Sequence, residues 1–177
     1  AKNGCTKATV CTGYLHGRIR KHVSSRSYGM EVEISEEKKP MGTAGPLLLI
    51  KGKLEECFFV LYGDVYNEVN LRKMLEFHKK KGGEATLLLH ESDHPQDSTV
   101  VAVDASSRIT KFVEKPGKEW KKKKHGRLTS AALYVLKKSV LSYVKEGDDF
   151  AKDVFPRMIM EGRKLYGYES SEYIKAM

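Results

Sequence analysis

The sequence contains no run of 18 apolar residues, so no stretch is long enough to cross a membrane as a helix. Its first residues, Ala1-Lys2-Asn3-Gly4, are polar and short, and no secretory signal is expected at this end. Cysteine is scarce. Cys5, Cys11 and Cys57 are an odd number at wide spacing, neither a disulfide framework nor a Cys-x-x-Cys metal site. Reduced, buried thiols in a cytoplasmic protein are the expectation. Gly-x-Ser-x-Gly does not occur and the six histidines are not read as a metal set, which sets aside serine-hydrolase and zinc-hydrolase chemistry. No Pro-, Gly- or Ser-rich linker divides the chain, and there is no internal repeat.

What is there amounts to one domain. The 177 residues are 40% hydrophobic, too apolar for wholesale disorder and enough to bury about two-thirds of the unfolded surface. Lys and Arg number 32 against 23 Asp and Glu, a formal charge of +9. Much of it is local, in Lys79-Lys80-Lys81 and Lys121 to Lys124, as expected of solvated faces. The balance favours a phosphate-rich partner. No RRM-type aromatic pattern, zinc finger or helix-turn-helix accompanies it, so nucleic acid is not the expected partner.

Periodicity alternates between strand and helix. Lys7–Thr12, Glu31–Ser35, Phe58–Leu61, Ala85–His90, Leu128–Leu136 and Lys164–Glu169 read as strands, with Phe58–Leu61 buried on both faces. Thr99–Val103 and Arg108–Glu114 flank a turn and read as a hairpin. Helices are predicted over Tyr14–Val23, with Leu15, Ile19 and Val23 as the packing face, and over Thr43–Lys51. Two more are predicted over Asn70–Lys81, capped by Asn70 and stopped by Gly82-Gly83, and over Asp149–Met160. A further helix should follow the strand at Lys137–Lys145. Gly117–Arg127 reads as a polar loop. Strands separated by helices predict an α/β domain: a three-layer, Rossmann-like mixed sheet, mostly parallel, with helices on both faces.

Three segments could carry chemistry. Phe58-Phe59-Val60-Leu61-Tyr62-Gly63-Asp64 is an apolar strand that delivers a carboxylate at its carboxyl end, where open α/β sheets place ligands. Gly63 permits close backbone approach, and Asp64 suits Mg²⁺ shared with substrate phosphates. An ordinary β–α turn is the competing reading. Pro40-Met41-Gly42-Thr43-Ala44-Gly45-Pro46 is a backbone-rich loop before a helix, able to bond a base edge or a phosphate, or simply to cap the helix. It lacks the Gly-Lys-Ser/Thr of a Walker A loop. Val113-Glu114-Lys115-Pro116 ends a strand with an acid and a base: Lys115 for a phosphate and Glu114 for a sugar hydroxyl, or a surface ion pair.

Taken in order, Glu36 to Leu47 (EEKKPMGTAGPL), FFVLYGD, VEKP, Leu128 to Leu136 (LTSAALYVL), Asp149-Phe150 and Phe155-Pro156 resemble the sugar-1-phosphate nucleotidyltransferases. The guanylyl-transferring members, of the mannose-1-phosphate and heptose-phosphate type, are the nearest in look. The resemblance runs over nearly the whole chain. It implies transfer of a nucleotidyl group, guanylyl by the lean of the motifs, from a nucleoside triphosphate such as GTP to a sugar 1-phosphate, with Mg²⁺ and release of pyrophosphate. By motif, Gly42, Thr43, Ala44 and Gly63 would lie against the nucleotide, and Asp64 would ligate Mg²⁺. Glu114 and Lys115 would hold the sugar phosphate, with Lys115 and Asp64 the catalytic pair. Ser130 and Ala132 stand where the family usually has Asn and Gly beside the sugar.

The chain also departs from the pattern. The family's opening strand and its Gly-rich GGxGTRL loop would precede Ala1, where Ala1 to Gly4 reads as the last turn of a helix. The domain over residues 1–177 is therefore expected to be a truncated one that lacks its N-terminal strand. That strand's loss would expose apolar neighbours and an unpaired edge, so the chain should be marginal alone or borrow a strand from another copy as a homo-oligomer. A second metal-binding Asp is replaced by Ala176, and Tyr62 replaces an Asn. One carboxylate of two and no phosphate loop predict weak turnover. The competing reading is a non-catalytic subunit that binds nucleotide or sugar phosphate.

Overall fold

A computed structural model describes residues 3–92, 99–113 and 128–176. Strand β1 (Lys7–Thr12) runs into helix α1 (His16–Ser24) and strand β2 (Glu31–Glu36). The two strands pair in parallel, from Lys7 opposite Glu31 to Thr12 opposite Glu36, and form a ladder of their own. Helix α1 starts two residues later than its periodicity suggests, because Leu15 takes the left-handed conformation (φ 60°) at the N-cap. None of its residues is buried. The face of Leu15, Ile19 and Val23 therefore lies against a two-stranded ladder too narrow to cover it.

Helix α2 (Pro46–Leu49) is a single turn that seats Leu47 in the core. After it come β3 (Cys57–Leu61) and the three-residue β4 (Val65–Asn67). Helix α3 (Leu71–Lys81) is capped as its sequence predicts: Asn70 Oδ1 accepts from the Lys73 N–H at 3.2 Å, and Gly82 closes it at φ 68°. Then follow β5 (Ala85–Glu91), the hairpin of β6 (Val100–Val103) and β7 (Ile109–Val113), and β8 (Leu128–Lys137). A 3₁₀ turn over Lys138–Tyr143 stands where an α-helix was predicted. The helix predicted over Asp149–Met160 is split into a π turn, Phe150–Val154, and α4 (Phe155–Met160). Pro156 has no N–H for an i−4 bond, so the ladder changes register there. Strands β9 (Leu165–Glu169) and β10 (Ile174–Ala176) follow.

Six strands make the main sheet, in the order β7-β6-β8-β5-β9, with β3 also on β8. Strand β5 lines one edge of β8. On the other edge β3 pairs with Leu133–Lys137, and β6 joins at Thr129. The pairings make β3, β5, β6 and β9 run one way and β7 and β8 the other. Most strands thus share a direction, as expected, but β5–β9 is the sheet's one parallel pairing among the described residues. The expectation of a mostly parallel ladder is corrected to that extent. The reason is that β8 sits at the centre and runs against its neighbours.

Strand β3 also differs from expectation. Phe58, Phe59 and Val60 are half-buried and Leu61 is 50% exposed, whereas Leu87, Leu88 and Leu89 of β5 are fully buried. Among the described residues, strand β3 has a partner on one edge and β5 on both. The three cysteines are free, as expected, but none is buried, and Cys11 lies exposed on β1.

The core joins the α4 side of the sheet to a second cluster under α3. Within the latter region His78 is 2% exposed, its Nδ1 lies 2.8 Å from Thr86 Oγ1, and its Nε2 has no partner among the described residues. Burial, helped by Lys137, pulls its pKa from 6.5 to about 4. The unfolded chain takes up this proton near 6.5 and the folded one does not until about 4. Stability is therefore full above pH 6.5 and falls as pH drops toward 4, by roughly 3 kcal/mol. Urea melts at pH 7 and pH 4.5 should show this loss shrinking in His78→Leu. An unchanged pH dependence in the variant would exclude the histidine as its source.

Candidate active site

The loop before α2 is held from behind by the segment before the π turn. The Gly147 N–H donates to the Met41 carbonyl at 3.1 Å, and the Ala44 N–H to the Asp148 carbonyl at 3.0 Å. Thr43 Oγ1 donates to Asp149 Oδ2 at 2.8 Å and accepts from the Phe150 N–H at 3.0 Å. Asp149 Oδ1 caps the π turn through the Ala151 and Lys152 N–H groups. Arg157 braces the same segment, 2.9 Å from Asp148 Oδ2, and holds that carboxyl below its ordinary range. Gly42 adopts φ 74°, and a Cβ there would collide with the Gly147 and Asp148 carbonyl oxygens. Docking of the loop, then, is why position 42 requires glycine. Ala44 is completely buried, so Gly42 and Thr43 form the exposed part of the loop. Since the fold engages the Thr43 hydroxyl as donor and acceptor, the surface the loop offers a ligand is mostly backbone.

Tyr62 connects this loop to the end of β3 and to β8. Its N–H donates to the Ala132 carbonyl at 3.1 Å, and its ring meets Tyr134 edge-on, with centroids 5.9 Å apart. Burial pushes the Tyr62 phenol up, while the Thr43 and Tyr134 hydroxyls beside it offset part of that rise. Tyr134, more deeply buried, is raised further. Both phenols are neutral at physiological pH and can donate hydrogen bonds. Beyond Tyr62, Gly63 faces open space and Asp64 is exposed.

Opposite them β8 bulges. Its register with β5 shifts between the Leu87–Tyr134 and Leu89–Ser130 pairs, and Ala132 sits in the bulge at φ 52°. Ser130 Oγ is buried beside the Tyr134 phenol and makes no well-formed hydrogen bond among the described residues. Such a poorly satisfied hydroxyl costs stability unless a ligand completes its bonding. Ala132→Gly should relieve the left-handed strain and stabilise the fold by about 1 kcal/mol, a rise of roughly 2–4 °C in Tm by calorimetry. An unchanged or lower Tm would show that the bulge carries no such strain.

A short ribbon flanks Asp64. Strands β4 and β10 pair antiparallel, with Ala176 opposite Val65. Three-residue strands give no periodic signal, and sequence reasoning missed them both. Next to the ribbon, at the carboxyl ends of β5 and β9, lies a cavity of about 470 Å³ lined by Leu89, His90, Glu91, Leu128, Glu169, Ser170, Ser171, Glu172 and Ile174. Among the described residues no three His, Cys, Asp or Glu side chains are grouped to hold a metal. Asp64 is an exposed oxygen donor and fits Mg²⁺ as a single protein ligand completed by phosphate oxygens.

One motif escaped the sequence reading. His90-Glu91-Ser92-Asp93-His94 has the His-Glu-x-x-His spacing of zinc hydrolases, which works only on a helix that puts both imidazoles on one face. Here His90 and Glu91 end strand β5, and His90 Nε2 lies 3.1 Å from Thr129 Oγ1. His94 lies outside the described residues, as do Glu114 and Lys115.

A family model described as Nucleotidyl transferase matches residues 1–173. The chain belongs to the nucleotidyl transferase family. Curated nucleotidyltransferase relatives include mannose-1-phosphate guanylyltransferase 1 of Arabidopsis thaliana, 40% identical over 135 residues, which are 73% of this chain and 36% of that protein. The mannose-1-phosphate guanyltransferase of Pichia angusta is 33% identical over 98% of this chain and 48% of its own length. The chain thus spans less than half the length of these relatives. A crystal structure of HddC from Yersinia pseudotuberculosis superposes with a TM-score of 0.81 at 18% identity, over 99% of this chain and 74% of that one. A second, complexed with GMP-PN, gives 0.80. These two share the fold of this chain. Among the described residues the fold gathers Gly42, Thr43, Gly63, Asp64, Ser130 and Ala132 around Tyr62. Tyr134 and Asp149, which complete this group, lie in stretches that carry the resemblance but received no role themselves.

Proposed function

We propose that this chain is the catalytic-site portion of a sugar-1-phosphate guanylyltransferase. The observation that carries the reading is Tyr62, which draws the Gly42–Thr43 loop, the exposed Asp64 and the β8 bulge with its poorly satisfied Ser130 hydroxyl onto one rim. In the reaction, a phosphate oxygen of the sugar 1-phosphate attacks the α-phosphorus of GTP in line. The α–β phosphoanhydride breaks and pyrophosphate leaves. Mg²⁺, held by Asp64 and the phosphates, would supply charge neutralisation. The loop backbone at Gly42 and Thr43 would bond the guanine edge. Ser130 would meet a sugar hydroxyl, and Glu114 and Lys115 the sugar phosphate. These groups position reactants and offset charge, which is most of what phosphoryl-type transfer needs. The relatives' names support guanine and mannose 1-phosphate as substrates. Free cysteines and the absence, among the described residues, of a helix long and apolar enough to cross a membrane fit a cytoplasmic setting.

A second reading is favoured by one feature. Ala176 pairs beside Val65, next to Asp64, where a second carboxylate would complete a metal pair. This predicts a subunit that binds GTP or sugar phosphate without turnover. Calorimetry with GTP and MgCl₂, and a pyrophosphate-release assay with GTP and mannose 1-phosphate, separate the two. Binding with sugar-dependent release supports the enzyme, and binding alone supports the subunit. No binding would overturn both.

A further inference from the structure

The first 30 residues hold six Lys and Arg and no Asp or Glu, so about one sixth of the chain carries two-thirds of its net charge of +9. Helix α1 concentrates that charge. At 3.6 residues per turn, Lys21 falls opposite Ile19 and Val23 with Arg18 beside it, while His22 lies nearer Ile19, and all three are exposed. Arg18, Lys21 and Arg26 have no ion-pair partner among the described residues. The glutamates of β2 do not offset them. Glu31 and Glu33 are engaged by Lys7 and Lys53, and Glu36 lies 3.2 Å from His16.

Beside the end of α1 a cleft of about 340 Å³ opens. The half-buried Val23, Met30, Val32 and Ile34 line it, together with the exposed Ser24, Arg26, Ser27 and Tyr28. A cleft with four aliphatic side chains and a polar margin, flanked by uncompensated cations, narrows the choice of partner. A polynucleotide would find the cations but only one ring to stack on. A lipid surface would meet a nine-residue helix that offers it only Ile19 and Val23, too small an apolar face to insert. A peptide carrying both aliphatic and acidic side chains satisfies the cleft and the charges together. We propose that α1 and this cleft form a docking surface for an acidic, leucine-bearing segment of a partner protein.

The test is fluorescence anisotropy of the full chain with a labelled twelve-residue peptide of repeated Glu-Glu-Leu. Two further probes are the same peptide with every leucine changed to serine, and a single-stranded oligouridylate. The leucine peptide should bind tightest, and loss of its leucines should weaken binding roughly 30-fold, the worth of one buried leucine. Arg18→Glu with Lys21→Glu should weaken it roughly tenfold or more. Both positions are exposed, and the serine peptide tests the cleft on the unaltered protein. Equal affinity for the serine peptide, tighter binding of the oligouridylate, or no peptide binding would each overturn the proposal.

Discussion

Asp64→Asn is expected to cut pyrophosphate release by roughly a thousandfold, the scale seen when a charge-stabilising group is removed from a transfer centre. Asparagine keeps the shape and removes the charge. Asp64 is exposed and enters no ion pair among the described residues, so the fold should not register the change. The signature is therefore a large loss of turnover and of Mg²⁺-dependent GTP affinity with an unaltered thermal melt. A rate within a few-fold of the parent would remove Asp64 from the metal role. Should the parent itself bind GTP without turnover, the same substitution reads out in affinity alone.

The second large effect is on stability. Phe155 is fully buried in a cluster of rings. It stacks on Phe150 at 5.3 Å and Phe112 at 5.9 Å, and meets Tyr134 edge-on at 5.1 Å. Phe155→Ala removes a whole ring from this packing and should cost about 3–5 kcal/mol. That is at least a fifth of the stability an ordinary domain has. Urea denaturation should show a matching fall in midpoint. Phe155→Leu, which keeps most of the volume, should retain more of it. Because Tyr134 bridges this cluster to Tyr62, the alanine variant should also loosen nucleotide binding beyond its effect on folding. Equal losses in both variants would mean that the cluster relaxes around the void.

How far the sequence foretells this molecule depends on the length of the signal. Helix α3 and strand β5 are long, periodic and punctuated by Asn70 and Gly82, and both form as read. The hairpin of β6 and β7 is marked by its turn, where Asp104 Oδ1 accepts from the Ser106 and Arg108 N–H groups. Strands β4 and β10 are too short to carry a pattern. The break at Pro156 was visible as a residue but not as a π turn, which depends on Asp149 capping from outside the helix. At the site, Gly63-Asp64 could be picked out because a strand end is a local feature. The partnership of Thr43 with Asp149 spans 106 positions and exists only in the fold. The same holds for Tyr62 and Tyr134, whose aromatic character alone reads as core.

The central place of β8 has a consequence for how the chain is made. Strands β3, β5 and β6 all hydrogen-bond to it, yet it is the last of the four to leave the ribosome. At about 5–20 residues per second, roughly 4–15 s pass between the emergence of Leu61 and that of Lys137. Throughout that interval Phe58, Phe59, Val60 and Leu61 stand without the partner that orders them. The nascent chain is thus most prone to aggregate before its middle strand arrives, and a chaperone would act on β3 in that window.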